Sequence, residues 1–167
     1  MKQISTLVLT LFLLVVLAAC QKQKETTMAD ESSKNVIAKE EKPNFEIIDP
    51  WLRPGSARTN TAFFFKIVNN TDKNDTLIDA SSDLARKVQV HETYKAENDM
   101  MGMRHVEFVP IPAGDTVDFK PRSLHVMVMG LYNDLMIGDS GKVTLTLKNA
   151  GDLFVTGVVR DMPKSMN

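Results

Sequence analysis

The chain has 167 residues, with 20 Lys and Arg set against 21 Asp and Glu, and a single cysteine. A formal charge of −1 provides no field for nucleic acid, and one cysteine excludes a disulfide framework. That cysteine is Cys20, at the end of an apolar leader, so the folded part has no thiolate with which to hold a metal.

Residues 1–19 read as a signal peptide: Lys2 is followed by the apolar run Leu7–Ala19, which is short for a membrane span and has the length of a secretion signal. The run ends Leu17-Ala18-Ala19-Cys20 and resembles a bacterial lipoprotein signal, in which the cysteine is lipidated and becomes the new N-terminus. Lipidation would tie the protein to a membrane surface in the cell envelope, facing the periplasm or the outside. Residues 20–43 are then the lipidated Cys20 and a polar, charged tether with almost no aromatics. Residues 44–167 are enough for one domain with a real core.

From Asn44 on, short apolar runs alternate with turn formers. The expected strands are Glu46–Trp51, Thr61–Val68, Val88–Thr93, Met103–Val109, Thr116–Phe119, His125–Met129, Val143–Leu147 and Leu153–Arg160. Asn69-Asn70, Pro112–Asp115, Lys120–Ser123 and Asn149–Asp152 supply turns between them. No long segment shows helical periodicity. The reading is an all-β barrel or sandwich of about eight short strands. The aromatics of Thr61–Val68 read as core, and Trp51 either packs there or flanks a site.

Chemistry concentrates in one window. Of the ten methionines, Met100, Met101, Met103, Met127 and Met129 fall between residues 100 and 129, and all three histidines, His91, His105 and His125, lie in or beside it. In the strand SLHVMVMGL, residues 123–131, alternation sends His125, Met127 and Met129 to one face and Val126 and Val128 to the other. Any one of these side chains alone reads as a core residue, since methionine commonly fills gaps. Together they form a thioether and imidazole set without thiolate or carboxylate, which suits Cu(I) better than Zn(II), Mg(II) or Ca(II). Such a set also avoids thiol oxidation outside the cytoplasm. A hairpin between the strand holding His91 and the strand opened by Met103 would bring two of these donors together.

His91, an eleven-residue gap, Met103, a twenty-one-residue gap and then His125-Val-Met127 is similar to the signature of the PCu(A)C family of periplasmic copper chaperones. The family pattern is His, ten residues, Met, twenty-one residues, His-x-Met. The first gap is one residue longer here, which leaves Met101 beside Met103 as the third ligand, and the second gap favours Met103. Trp51-Leu-Arg-Pro54, His91-Glu92, Val109–Gly114 and His125–Leu131 also resemble the family, so the likeness spans Ile47 to about Arg160. The resemblance implies a cupredoxin-like β-barrel carrying one exposed Cu(I), or copper in the Cu(II) state, on His91, Met103, His125 and Met127. It implies delivery to a recipient such as the CuA centre in subunit II of cytochrome c oxidase or a Sco-type thiol protein. Met129 reads as packing. Met100 and Met101 either shield the metal or form a second position with His105.

Other function classes compete less well. A blue-copper electron carrier needs a Cys thiolate with two His, and the one Cys is the proposed anchor. Copper sequestration would use the same site. A structural surface lipoprotein with a Met-rich core and no metal accounts for the β pattern but not for the spacing. Catalysis finds no support: no nucleophile elbow, Gly-rich phosphate loop or carboxylate pair is present in the sequence.

Overall fold

The computed structural model describes residues 42–162. The expected signal peptide, Cys20 and nearly all of the tether lie outside the described residues, as do residues 163–167. Ten strands follow in chain order: β1 Phe45–Leu52, β2 Asn60–Asn69, β3 Asp75–Ser81, β4 Ala85–Lys95, β5 Met101–His105, β6 Val109–Ile111, β7 Thr116–Phe119, β8 Leu124–Leu131, β9 Ser140–Leu147 and β10 Gly151–Val159. The only helical element among the described residues is one 3₁₀ turn, Glu97–Asp99, between β4 and β5, and no helix there is long and apolar enough to cross a membrane.

The strands form one continuous sheet in the order β5-β4-β8-β2-β1-β10-β9-β3-β6. All pairs are antiparallel except β1 with β10, which run parallel through Trp51 and Val158 and through Leu52 and Val159. Strand β2 forks: Asn60–Phe63 pair with β8 and Phe65–Val68 with β7. One hydrophobic cluster collects Phe63 and Ile67 from β2, Val126 from β8, Leu145 from β9, Leu77 from β3 and Ile111 from β6. A single cluster fed from both ends of the strand order requires the sheet to curl over itself, so the architecture is an all-β sandwich of the cupredoxin-like kind.

Strand β2 explains why there is also a second, smaller core. Its odd residues Phe63, Phe65 and Ile67 enter the main core, while Ala62 and Phe64 face the other way and pack with Trp51. The Phe65 ring stacks on Phe119 at 4.4 Å between centroids, and Trp51 meets Phe64 at 4.5 Å. The close approach of β1 to β10 depends on Gly157, where an added Cβ would come within 2.6 Å of Phe63 Cε2 and 3.1 Å of the Trp51 nitrogen.

Two strands differ from expectation. The run Met103–Val109 is two elements: β5 pairs with β4, whereas β6 pairs with β3 at the opposite end of the sheet order. Pro110 cannot donate to a ladder, and β6 lies at an edge where that donor is not needed. Strand β3 is additional. Its sequence DTLIDAS is poor in strand formers, but buried Asp75 accepts hydrogen bonds from the backbone N–H of Thr76, Asn149 and Ala150. Those bonds tie β3 to the β9–β10 turn and replace the missing propensity. Strand count rises from about eight to ten for these two reasons.

Phe63 has no solvent exposure and connects β2 to the β1–β10 junction. Phe63→Ala is expected to lower stability by about 3–5 kcal/mol, read as a fall in the urea midpoint at unchanged slope. An unchanged midpoint would show that the main core does not run through β2.

Candidate metal centre

Strand β8 divides its side chains as alternation requires. Val126 and Val128 are fully buried in the main core, and His125, Met127 and Met129 lie on the opposite face. On one side of β8 runs β4, with His91 directly opposite His125 and Gln89 opposite Met127. On the far side of β4 runs β5, with His105 directly opposite His91 and Met103 opposite Thr93. Directly opposed residues share a face. The three histidines therefore stand in a row across β5, β4 and β8, with ring centroids 6.0 Å apart for His105–His91 and 6.1 Å for His91–His125. Met101 and Met103 continue the same face along β5.

His125 is 4 % exposed. Its Nδ1 lies 2.9 Å from the Ser123 carbonyl oxygen, which only accepts, so Nδ1 carries the proton and donates it. The lone pair is then on Nε2, the tautomer that a metal ligand needs. The same carbonyl accepts the Thr93 N–H at 3.1 Å, so one backbone oxygen fixes both the imidazole and the end of the β4–β8 ladder.

His91 has the complementary property. Its Nε2 is buried and has no hydrogen-bond partner among the described residues, an arrangement that costs free energy unless something else occupies that nitrogen. Burial first, then the neighbouring His125, His105 and Lys87, hold its pKa below the usual 6.5. The neutral imidazole, which is the ligating form, is therefore favoured.

His125, Met127, Met103 and Met101 line one cavity of about 350 Å³, together with Phe64 and Met162. Met127 is half-buried, while Met101 and Met103 are 57 % and 62 % exposed. Beneath the cavity, Trp51, Ala62 and Phe64 form the second core, with Met127 and Met162 packed on it, so Trp51 flanks the site from below. Arg53 and Arg122 also line the cavity. Among the described residues no three His, Cys, Asp or Glu converge as a metal-binding group, so a metal held here would draw on thioether sulfur.

The sequence-derived candidates thus separate. His125, Met127 and Met103 share a cavity wall; His91 is not on that wall but stands beside His125 in the histidine row. Met101 lies on the same wall as Met103, whereas Met100 is exposed at the hairpin and off it. His105 is exposed and faces His91. Met129 is half-buried against Asn60 and Lys87. The β4–β5 hairpin sets the register of these donors. Strand β4 continues through Thr93 and Tyr94 to Lys95, so Met103 opposes Thr93 and not His91. The directly opposed Glu92 and Arg104 fit that register, with Arg104 Nε and one Nη donating to Oε2 at 3.0 and 2.7 Å. Met162 has no counterpart in the sequence reading. It lies beyond the last strand, isolated from the His/Met window, and no spacing rule points to it.

Residues 45–159 match the family described as "Putative lipoprotein LpqE-like". The chain belongs to that family. Among curated proteins it is 29% identical over 122 residues to "Uncharacterized protein RP573" of Rickettsia prowazekii, covering 70% of this chain and 66% of that one. It is 30% identical over 116 residues to "Putative lipoprotein Lxx21020" of Leifsonia xyli subsp. xyli, covering 70% and 69%. The chain thus spans just under two thirds of the Rickettsia protein's length. Among solved structures it is similar to the copper-bound PCuAC domain from PmoF2, with a TM-score of 0.60 and 25% identity over 72% of this chain and 95% of that one. It is also similar to CuI-DR1885 from Deinococcus radiodurans, with a TM-score of 0.53 and 26% identity over 68% and 78%.

The depressed His91 pKa has a consequence for the metal-free fold. The unfolded chain takes up the His91 proton first, so the related stability is complete above about pH 6.5 and declines as the pH falls below it. Urea midpoints between pH 7.5 and 5 should fall, and His91→Gln should flatten that fall. An identical slope in the variant would remove His91 as the source.

Proposed function

We propose that this protein is an extracytoplasmic Cu(I) chaperone that binds one Cu(I) through His91, Met103, His125 and Met127 and passes it to a copper-accepting protein. The observation that carries the reading is the buried His125, with its Nε2 lone pair left free, sharing a cavity wall with the thioethers of Met127 and Met103. The likeness to copper-bound PCuAC domains supports it. His91 completes an N₂S₂ set with a nitrogen that lacks any protein partner among the described residues.

The donor set matches the cargo. Two imidazoles and two thioethers are borderline-to-soft donors, and none of them binds as an anion. The set also favours release. Thioethers are weak donors beside thiolates, so an acceptor with cysteines takes the ion downhill. Exposure orders the exchange: His125 is locked to the Ser123 carbonyl, whereas Met103 stands 62 % exposed on an edge strand. The incoming ligand replaces Met103 first, and the buried imidazole lets go last. The CuA centre in subunit II of cytochrome c oxidase is the proposed destination, directly or through a Sco-type thiol protein. A lipid on Cys20 would hold the domain at the envelope surface where such acceptors stand, on its periplasmic or extracellular side.

An anaerobic competition titration against a chromophoric Cu(I) chelator tests the reading. The protein should take one Cu(I) per chain, and His125→Ala and Met127→Leu should each weaken binding by about 10–100-fold or more while the β-type circular dichroism persists. Binding should also weaken as the pH falls through the histidine range, because protons compete for the imidazoles. Unchanged affinity in both variants would contradict the assigned ligands.

A further inference from the structure

The geometry points to Met162 as a third copper-facing thioether, one that takes the coordination position of Met103 when the exposed sulfur leaves. The inference rests on the copper reading above and adds a residue outside that ligand set.

Met162 lies on the cavity wall with His125, Met127 and Met103 and packs against Trp51, Ala62 and Phe64. Its position is set by the residues before it. The Arg160 N–H donates to the Leu52 carbonyl at 3.0 Å, extending the β1–β10 pairing beyond the strand. The Arg160 guanidinium bonds Asp49 at 2.6 Å and lies over the Trp51 ring at 5.0 Å. These contacts direct the chain leaving β10 over the indole, and two residues later Met162 reaches the cavity.

The two most exposed thioethers of this cavity, Met101 and Met103, belong to β5, which pairs only with β4. Motion of that hairpin removes sulfur from the metal. Met162 is attached to the opposite side, on the parallel β1–β10 junction, and does not move with it. Exchange of one thioether for the other breaks one Cu–S bond and forms one Cu–S bond. Both donors are neutral, so charge and oxidation state are unchanged, and the ion keeps two sulfur ligands while its outer face is open to an acceptor. A residue needed only to cover Trp51 and Phe64 would serve equally well as leucine, and this difference makes the sulfur testable.

The test uses the chain from Gln21 on, which keeps every described residue and has no thiol, loaded anaerobically with one Cu(I). Affinity is read by chelator competition and the number of sulfur ligands by X-ray absorption. Met103→Leu alone should keep two sulfurs and lose less than about tenfold in affinity, because Met162 steps in. Met103→Leu with Met162→Leu should fall to one sulfur and lose about 100-fold, more than the two single effects combined. Met103→Leu with Met136→Leu, whose second site lies off this cavity at an exposed position, should behave as Met103→Leu alone. A double Met103/Met162 variant that matches Met103→Leu in sulfur number and affinity would overturn the inference, as would loss of a sulfur in Met103→Leu alone. Failure of the unsubstituted chain to bind Cu(I) would instead overturn the copper reading itself.

Discussion

Two antiparallel ladders on either side of β4 are the constraint on which the site depends. They place His105, His91 and His125 side by side on three different strands. Register in a sheet is all-or-none for side-chain direction, since a slip of one residue moves a strand's whole set to the other face. A slip of β8 would send Val126 and Val128 toward the cavity and bury His125 and Met127 in the main core. The two valines, fully buried, therefore hold the donors in place as firmly as any contact at the site. The hydrophobic effect fixes the register, and the register presents the donors.

The same economy appears in β2, β1 and β10. Phe63 and Phe65 serve the main core, and Phe64, the residue between them, serves the floor of the cavity with Trp51. The floor is apolar, so a metal above it is shielded from water on one side. In the proposed role the donors above it are uncharged, so no buried charge would be left behind when an ion departs. A site with thiolates or carboxylates would leave unpaired anions on release, which is costly in an apolar setting. Met and His avoid that cost, and the exposed hairpin supplies a route outward.

Much of this was legible in the sequence, for identifiable reasons. Alternation in the strand depends on local sterics alone, and β8 follows it from Val126 to Met129, with the valines buried and the methionines half-buried. Met103, His125 and Met127 line one cavity, and in the sequence only the resemblance to the family signature links the three. Strand β3 was not legible, because its stability comes from Asp75 accepting bonds from a turn far along the chain. The exact register of the β4–β5 hairpin has no local signal: β4 runs two residues past Thr93 to Lys95, which sets Met103 opposite Thr93 and diagonal to His91. Met162 was invisible for a similar reason: its place depends on how Arg160 lies on Trp51, a contact between the two ends of the domain.

The most direct test of the central claim, a thioether and imidazole Cu(I) site on the β5-β4-β8 face, is an anaerobic NMR titration of the chain labelled with ¹³C at the methionine methyl groups. Addition of one equivalent of Cu(I) is expected to shift the methyl signals of Met103 and Met127 in parallel and to saturate there, with Met136 unmoved. Methyl signals of Met103 and Met127 that stay in place while copper is taken up elsewhere, or that follow Met136 in a uniform drift, would contradict the account.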